Sequence, residues 1–202
     1  MYISHKKKFV ILRNRKCAST SLVNLVEQYC EVNYRTAESQ LGLSYSEIRH
    51  YNAEQLVALF NDKGWNIEDY SVVQTIRNPW DRVVSAFHYE RDVVKNAKIE
   101  GFTFDEYLDS KVFKNFAKAN NFKNVCFVDG GSKLVPTIIM KVENIDEDIR
   151  AFSKKYLDSE VTSLEKKNTT QRDDYKKYYN DKSRTLIENL FASDIEFGNY
   201  TF

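Results

Sequence analysis

Proline and glycine are scarce in this chain, two and six of 202 residues, and no stretch rich in either marks an interdomain linker. Repeats and low-complexity tracts are absent as well, so one domain over residues 1–202 with a single sizeable core is expected. Cysteine is limited to Cys17, Cys30 and Cys126, an odd number without Cys-x-x-Cys spacing. That pattern suggests neither a disulfide framework nor a thiolate metal site, and it suits a reducing compartment. No His/Cys/Asp/Glu grouping has ligand spacing, so no metal is expected. No apolar run approaches the roughly 20 residues of a membrane span. The start, Met1-Tyr2-Ile3-Ser4-His5-Lys6, lacks the apolar stretch of a signal peptide, so a cytoplasmic protein with no membrane partner is expected. A dominant sign of charge is missing too: 30 Lys and Arg face 29 Asp and Glu, a net +1. Bulk attraction to nucleic acid or anionic membrane is thereby disfavoured, and any anion site must be local.

What is present is an alternation of strand-like and helix-like segments. Phe9-Val10-Ile11-Leu12 reads as a strand buried on both faces. Ser19, Thr20 and Ser21 follow as candidate N-caps for a helix with the apolar stripe Leu22, Leu25, Val26 and Tyr29. Asn52 with Gln55 forms a capping-box pattern ahead of Leu56, Leu59 and Phe60, closed by Gly64. Ser71–Ile76 reads as a strand. Behind it, Asn78, Pro79 and Asp81 supply an N-cap, a first-position proline and a first-turn acid for the next helix. One helix is expected over Phe104–Ala119, a short strand over Val125–Val128 and another strand over Pro136–Val142. Asn144 with Glu147 announces a further helix, and a last one is expected from about Asn180 to Ala192. Alternating strands and helices imply right-handed crossovers, hence an α/β three-layer sandwich around a central parallel sheet. Ligands in such folds sit beyond the carboxyl ends of the strands.

Both strand-to-helix joints place basic residues beside the unpaired N–H groups of a helix start, where dipole and donors favour phosphate. At the first, Lys16 precedes Ser19, Thr20 and Ser21. Taken alone, these hydroxyls merely cap the helix and Lys16 is solvated. A nucleotide-triphosphate P-loop fits poorly, because G-x-x-x-x-G-K-[ST] needs glycines that this loop lacks. At the second, Arg77 ends the strand and Ser85 lies about two turns into the helix. Each alone reads as structural, with Arg77 paired to a neighbouring carboxylate.

Together, Lys16-Cys17-Ala18-Ser19-Thr20-Ser21 and Arg77-Asn78-Pro79-Trp80-Asp81-Arg82-Val83-Val84-Ser85 resemble the sulfotransferases that use 3′-phosphoadenosine 5′-phosphosulfate (PAPS). The resemblance is closest to the carbohydrate branch, sulfotransferase family 2-like, whose second motif reads R-[DN]-P-x-x-R-x-x-S. Weaker matches are Arg49-His50, Val142-Glu143-Asn144, Asn168-Thr169-Thr170 ahead of Tyr178-Tyr179, and the segment from Asp194 to Phe202. Two departures stand out: Asn14-Arg15 replaces an apolar-proline pair, and Cys17-Ala18 stands where relatives carry a small residue and glycine.

The resemblance implies a P-loop-like sulfotransferase fold, with PAPS as co-substrate, no metal, and a hydroxyl-bearing acceptor, a glycan or small glycoside. It implies that Lys16 stabilises the leaving oxygen and that Cys17, Ala18, Ser19, Thr20 and Ser21 hold the 5′-phosphate. Arg77 and Ser85 would hold the 3′-phosphate, and Thr170 would touch the nucleotide from a closing loop. Cys17 is read as a buried small side chain, not a nucleophile. Of the three histidines, His50 is the leading general base, against a reading in which it simply flanks the Asn52 cap. His88 is expected to pack, and His5 to be a mobile terminal residue. Lys6-Lys7-Lys8 reads as a solvated run. The alternatives are a magnesium-dependent nucleotide kinase and a non-catalytic nucleotide- or glycan-binding module on a similar fold.

Overall fold

The computed structural model of the chain describes residues 1–164 and 172–202. Strand β1 (Tyr2–Ser4) turns through Lys8 and returns antiparallel as β2 (Phe9–Leu12). The chain then passes through residues 13–18 to α1 (Ser19–Val26). Next come α2 (Ala37–Leu41), α3 (Tyr45–Ile48) and α4 (Ala53–Asp62). Strand β3 (Ser71–Ile76) runs almost directly into α5 (Pro79–His88). Helices α6 (Phe104–Asp109), α7 (Lys111–Asn120) and α8 (Phe122–Cys126) precede a ribbon of β4 (Phe127–Val128) and β5 (Lys133–Leu134). Strand β6 (Ile138–Lys141), α9 (Ile145–Tyr156), α10 (Asp181–Leu190) and α11 (Ala192–Gly198) complete the described chain. Among the described residues no helix is long and apolar enough to cross a membrane.

The main sheet has the order β1-β2-β3-β6, with β2, β3 and β6 mutually parallel. Leu12 pairs with Gln74, and Ile76 with Lys141, so the carboxyl ends of all three parallel strands lie along one edge. Alternation along β2 sends side chains to opposite faces. Val10 and Leu12 pack with Ile48, Leu56 and Phe60, whereas Phe9 and Ile11 pack with Leu22, Val26, Ile149 and Phe152. Helices thus cover both faces, which gives the three layers. A separate apolar cluster joins α5 to the later helices through Val83, Phe87, Phe104, Tyr107, Phe113, Ile187 and Phe191.

Several expectations are corrected. The sheet is mixed, because β1 adds an antiparallel edge that sequence reading missed. His5 is not mobile: its Nδ1 lies 2.8 Å from the Tyr70 hydroxyl and its ring meets Trp65 edge-on. Lys7 is bonded to Asp158 and Lys8 lies over the Tyr70 ring, so the lysine run is only partly a free solvated one. The helix expected over Phe104–Ala119 is broken at Ser110, whose extended backbone and hydroxyl, accepting from the Phe113 N–H at 3.1 Å, start a new helix. Val125–Val128 is half helix and half strand. The last helix splits at Phe191. Asn52 and Asn78 cap as expected, but Asn144 does not, because a 3₁₀ turn over Val142–Asn144 denies it the extended geometry a cap requires.

One buried cation ties the carboxyl edge of the sheet together. Arg82 in α5 is 1% exposed. Its Nε donates to the Arg15 carbonyl at 2.9 Å, one terminal nitrogen donates to Asn14 Oδ1, and the other lies 3.3 Å from Asp194 Oδ1 in α11. Asp194 also accepts from the Phe122 N–H at 2.8 Å. Burial pushes the Asp194 carboxyl up, and Arg82 opposes that shift. Removing one partner of such a pair strands the other: Arg82→Met is expected to lower stability by about 3–5 kcal/mol in urea unfolding. A loss below about 1 kcal/mol would contradict this placement.

Candidate functional site

The loop between β2 and α1 is bent by two non-glycine residues in the left-handed region, Lys16 at φ 63° and Ala18 at φ 54°. Such residues each cost on the order of 1–3 kcal/mol and persist only where surrounding contacts hold them. Here Arg82 holds the Arg15 carbonyl, and Arg77 donates to the Lys16 carbonyl at 3.1 Å. The bend aims the loop at the start of α1. Its N-cap is Ala18, which has no side-chain cap, so Ser19, Thr20 and Ser21 do not cap the helix as expected; they occupy its first turn. The first-turn N–H groups have no acceptor within the helix, and the dipole there favours an anion. Thr20 Oγ1 accepts weakly from Arg13 at 3.5 Å. The Cys17 N–H reaches the Asn14 carbonyl at 3.4 Å, and its thiol is fully buried, with burial pushing its pKa up. A nucleophilic role is thus disfavoured, in line with the sequence reading.

Lys16 carries its ammonium 3.8 Å from the centroid of the Tyr89 ring. Burial first, then repulsion from Arg77 and Arg15, pulls its pKa down to about 8, with Glu90 opposing. A cation held below its ordinary range among other cations is one that an incoming anion would stabilise.

The second joint lies against the first. Arg77 grips Asp81 with two nitrogens, at 2.7 and 2.6 Å, and Arg172 bonds the other oxygen of the same carboxylate. The pairing of Arg77 with a nearby carboxylate therefore occurs. It also fixes the guanidinium beside Lys16. Ser85, 8% exposed, sits four residues beyond Asp81 on the same helical face. Asn78 Oδ1 accepts from the Trp80 N–H at 3.1 Å, and its own N–H donates to Glu143 at 2.7 Å. Its side-chain amide donates to the Thr201 carbonyl at 3.0 Å. The segments around Glu143 and Thr201, singled out separately in the sequence, thus converge on one helix start. His88 packs as expected, its two ring nitrogens 2.9 Å from Asp92 and 2.8 Å from the Tyr178 hydroxyl. Tyr179 donates to the Trp80 carbonyl at 2.9 Å. Asn168, Thr169 and Thr170 lie outside the described residues.

Beside the loop opens a cleft of about 1050 Å³. Arg13, Arg15 and His50 line it, with Glu90, and the far wall comes from α7, α8 and the turn at Gly130-Gly131. His50 Nε2 accepts from Arg49 Nε at 3.0 Å, which leaves the proton on Nδ1. Desolvation by the protein around the ring, then repulsion from Arg49, Arg15 and Arg13, pulls the imidazole down to about 3. His50 is exposed at the cleft edge, and its imidazole is neutral at pH 7. Glu90 bonds Arg15 at 2.6 Å and Asn96 at 3.1 Å. The structure thus brings Lys16, Arg77 and the α1 start together at the loop, and His50 with Arg13 and Arg15 onto the adjoining cleft. Sequence reasoning missed three things: Arg82 as the anchor, Asp81 as the shared counter-ion, and the arginines around His50. For Arg82, the fixed arginine of the second motif was the available signal, and for Asp81 its place four residues after Arg77; the sharing with Arg172 and the arginines around His50 depend on non-local folding.

No protein-family profile matches the chain, and no curated protein matches its sequence. Among solved structures it is similar to mouse sulfotransferase SULT7A1 complexed with PAP, at 16% identity over 96% of this chain and 86% of that one, with a TM-score of 0.49. It is also similar to a sulfotransferase from Alicyclobacillus acidocaldarius, at 13% identity over 94% of this chain and 92% of that one, with a TM-score of 0.51. At that identity the second likeness establishes architecture and nothing finer. The chain has the mixed α/β fold of that sulfotransferase, with its candidate site at the carboxyl edge of a mostly parallel sheet.

Proposed function

We propose that the protein is a PAPS-dependent sulfotransferase that transfers a sulfuryl group to a hydroxyl of a carbohydrate. The observation that carries this reading is the convergence of Lys16, Arg77 and the start of α1 around one bent loop, with His50 on the adjoining cleft. A phosphosulfate nucleotide carries charge at two separated phosphates, and this arrangement offers donors for both. In the proposed assignment, the N–H groups and hydroxyls of residues 17–21 hold the 5′-phosphate. Arg77 and Ser85 hold the 3′-phosphate, Arg77 through a planar fork that lysine lacks. Thr170 is assigned to the nucleotide by resemblance alone.

Transfer requires the acceptor oxygen in line with the sulfur. A new O–S bond forms as the S–O bond to the phosphate breaks, and the electron pair leaves on the phosphate oxygen. By analogy with phosphoryl transfer, positioning and charge stabilisation do most of the work. Lys16 stabilises the departing oxygen. His50, neutral and at the cleft, takes the acceptor's proton on Nε2 once the hydroxyl replaces Arg49 as its partner. A carbohydrate acceptor is assigned from the resemblance to the carbohydrate branch, and the exposed Asn115 on the cleft wall offers an amide that matches sugar hydroxyls.

Adenosine 3′,5′-bisphosphate at about 100 times its Kd should stabilise the fold by about 2.7 kcal/mol, a midpoint rise of roughly 5–10 °C for a chain of this size. Arg77→Ala should abolish the shift while ATP with magnesium gives none in either protein; a larger shift with ATP and magnesium would contradict the reading. Because Lys16 loses its proton near pH 8 in the free protein, bisphosphate affinity should be full below pH 8 and fall as pH rises through it. Lys16→Ala should remove that dependence; a flat affinity between pH 7 and 9.5 in the wild type would count against Lys16 as an anion contact. His50→Ala should cost about 10²–10⁴ in kcat with bisphosphate stabilisation intact. The wild-type acid limb of kcat/KM should lie below pH 6.5, since the imidazole stays neutral to lower pH than a free one. An acid limb at or above 6.5 would exclude the His50 assignment.

A further inference from the structure

The two cations at the strand-to-helix joints are held in different ways. Arg77 is gripped by a carboxylate, that of Asp81. Lys16 pairs with no carboxylate among the described residues, and its ammonium lies over the Tyr89 ring, 3.8 Å from the centroid. Asp81, Ser85 and Tyr89 follow one another at four-residue steps, so they share one face of α5 and its continuation. The two ends of that stripe each hold one cation of the candidate site.

At Tyr89 the helix changes its winding. Tyr89–Val93 form a π turn, closed by the Val94 N–H donating to the Tyr89 carbonyl at 2.9 Å. A π turn takes more residues than an α turn, so successive side chains are rotated less from one another. Consecutive residues of the turn accordingly reach consecutive residues of the loop: Tyr89 covers Lys16, and Glu90 bonds Arg15 at 2.6 Å.

A ring face and a carboxylate hold a cation with different consequences at an anion site. The ring attracts the ammonium through its quadrupole and carries no net charge, so Lys16 keeps its full charge for an incoming phosphate. A carboxylate in that place would cancel the charge and repel the ligand. Resting on the sulfotransferase reading, we propose that Tyr89 is a positioning residue whose ring face fixes the charged Lys16 ammonium at the loop, while the π turn that carries it lets Glu90 fix the neighbouring Arg15. The ring acts through Lys16 and touches no reacting atom. Burial first, then Arg77, Arg15 and Arg172, lower the Lys16 pKa to about 8, and Glu90 opposes them. The ring also favours the protonated form, so weakening it moves the Lys16 titration to lower pH.

The test changes the electrons of the ring while nearly keeping its shape. Tyr89→Phe is compared with the same position carrying mono- and trifluorophenylalanine, which draw charge from the ring face. Cε resonances of ¹³C-labelled lysine, with that of Lys16 assigned by its loss in Lys16→Ala, give its titration in the free protein. Calorimetry with adenosine 3′,5′-bisphosphate gives the affinity on both sides of pH 8. The Lys16 midpoint should move to lower pH with each step of fluorination, and the pH at which affinity is lost should move down with it. At pH 8 the trifluorinated ring should bind about threefold or more weaker than Tyr89→Phe, with the monofluorinated ring between. A Lys16 midpoint that ignores fluorination overturns the inference whether or not the nucleotide binds. Bisphosphate binding that ignores the ring sinks the Tyr89 assignment and leaves the sulfotransferase reading standing. A midpoint that follows the ring in a protein that fails to bind the bisphosphate sinks the sulfotransferase reading and keeps Tyr89 as the holder of Lys16.

Discussion

The arrangement at the carboxyl edge of the sheet depends on Arg82. Its guanidinium is buried in α5 yet reaches the Arg15 carbonyl, the Asn14 side chain and Asp194, which in turn holds the start of α8 through the Phe122 N–H. One planar group therefore fastens the β2 exit loop, the β3 exit helix and α11 to one another. An ammonium could not serve three directions in one plane. The departure from the usual apolar-proline pair also makes sense here, since Asn14 supplies an acceptor that an apolar residue lacks.

With the loop pinned, strain and charge follow. Lys16 and Ala18 are kept in the left-handed region, and the Lys16 carbonyl is turned onto Arg77. Arg77 shares Asp81 with Arg172, so one carboxylate sits between two guanidinium groups and leaves the trio with a net positive charge. The ammonium of Lys16 is crowded by burial and by its cationic neighbours, which is why its pKa drops. The loop thereby joins a cation-lined anion site to a cleft with His50 at its edge. In the proposed reaction the nucleotide lies at the loop and the start of α1, and the acceptor in the adjoining cleft presents its hydroxyl in line with the sulfur.

Much of the fold was legible because it is locally encoded. The run Phe9–Leu12, the caps at Asn52 and Asn78, and Pro79 at a first helical position each carry their signal within a few residues. The misses are non-local or turn on one hydroxyl. Strand β1 is only three residues long and gains its geometry from pairing with β2. His5 is ordered by Trp65 and Tyr70, some 60 residues along the chain. Ser110 ends one helix and begins another with a hydroxyl that the apolar periodicity around it conceals. For the site, Lys16, Arg77 and His50 were legible from residue type and from resemblance. Their electrostatic surroundings were only partly so: Asp81 lies four residues from Arg77, but Arg172 reaches Asp81, and Arg13 and Arg15 reach His50, only through the folded chain.

The central claim is chemical transfer, and the most direct measurement follows a ³⁵S label from PAPS in excess chelator, with pooled oligosaccharides as acceptors and Lys16→Ala as the control. The account predicts label in an oligosaccharide product, formed without added metal and reduced about 10²–10³-fold in the variant. Label that stays in the nucleotide with every acceptor, or transfer that requires magnesium or proceeds unchanged in Lys16→Ala, would contradict it.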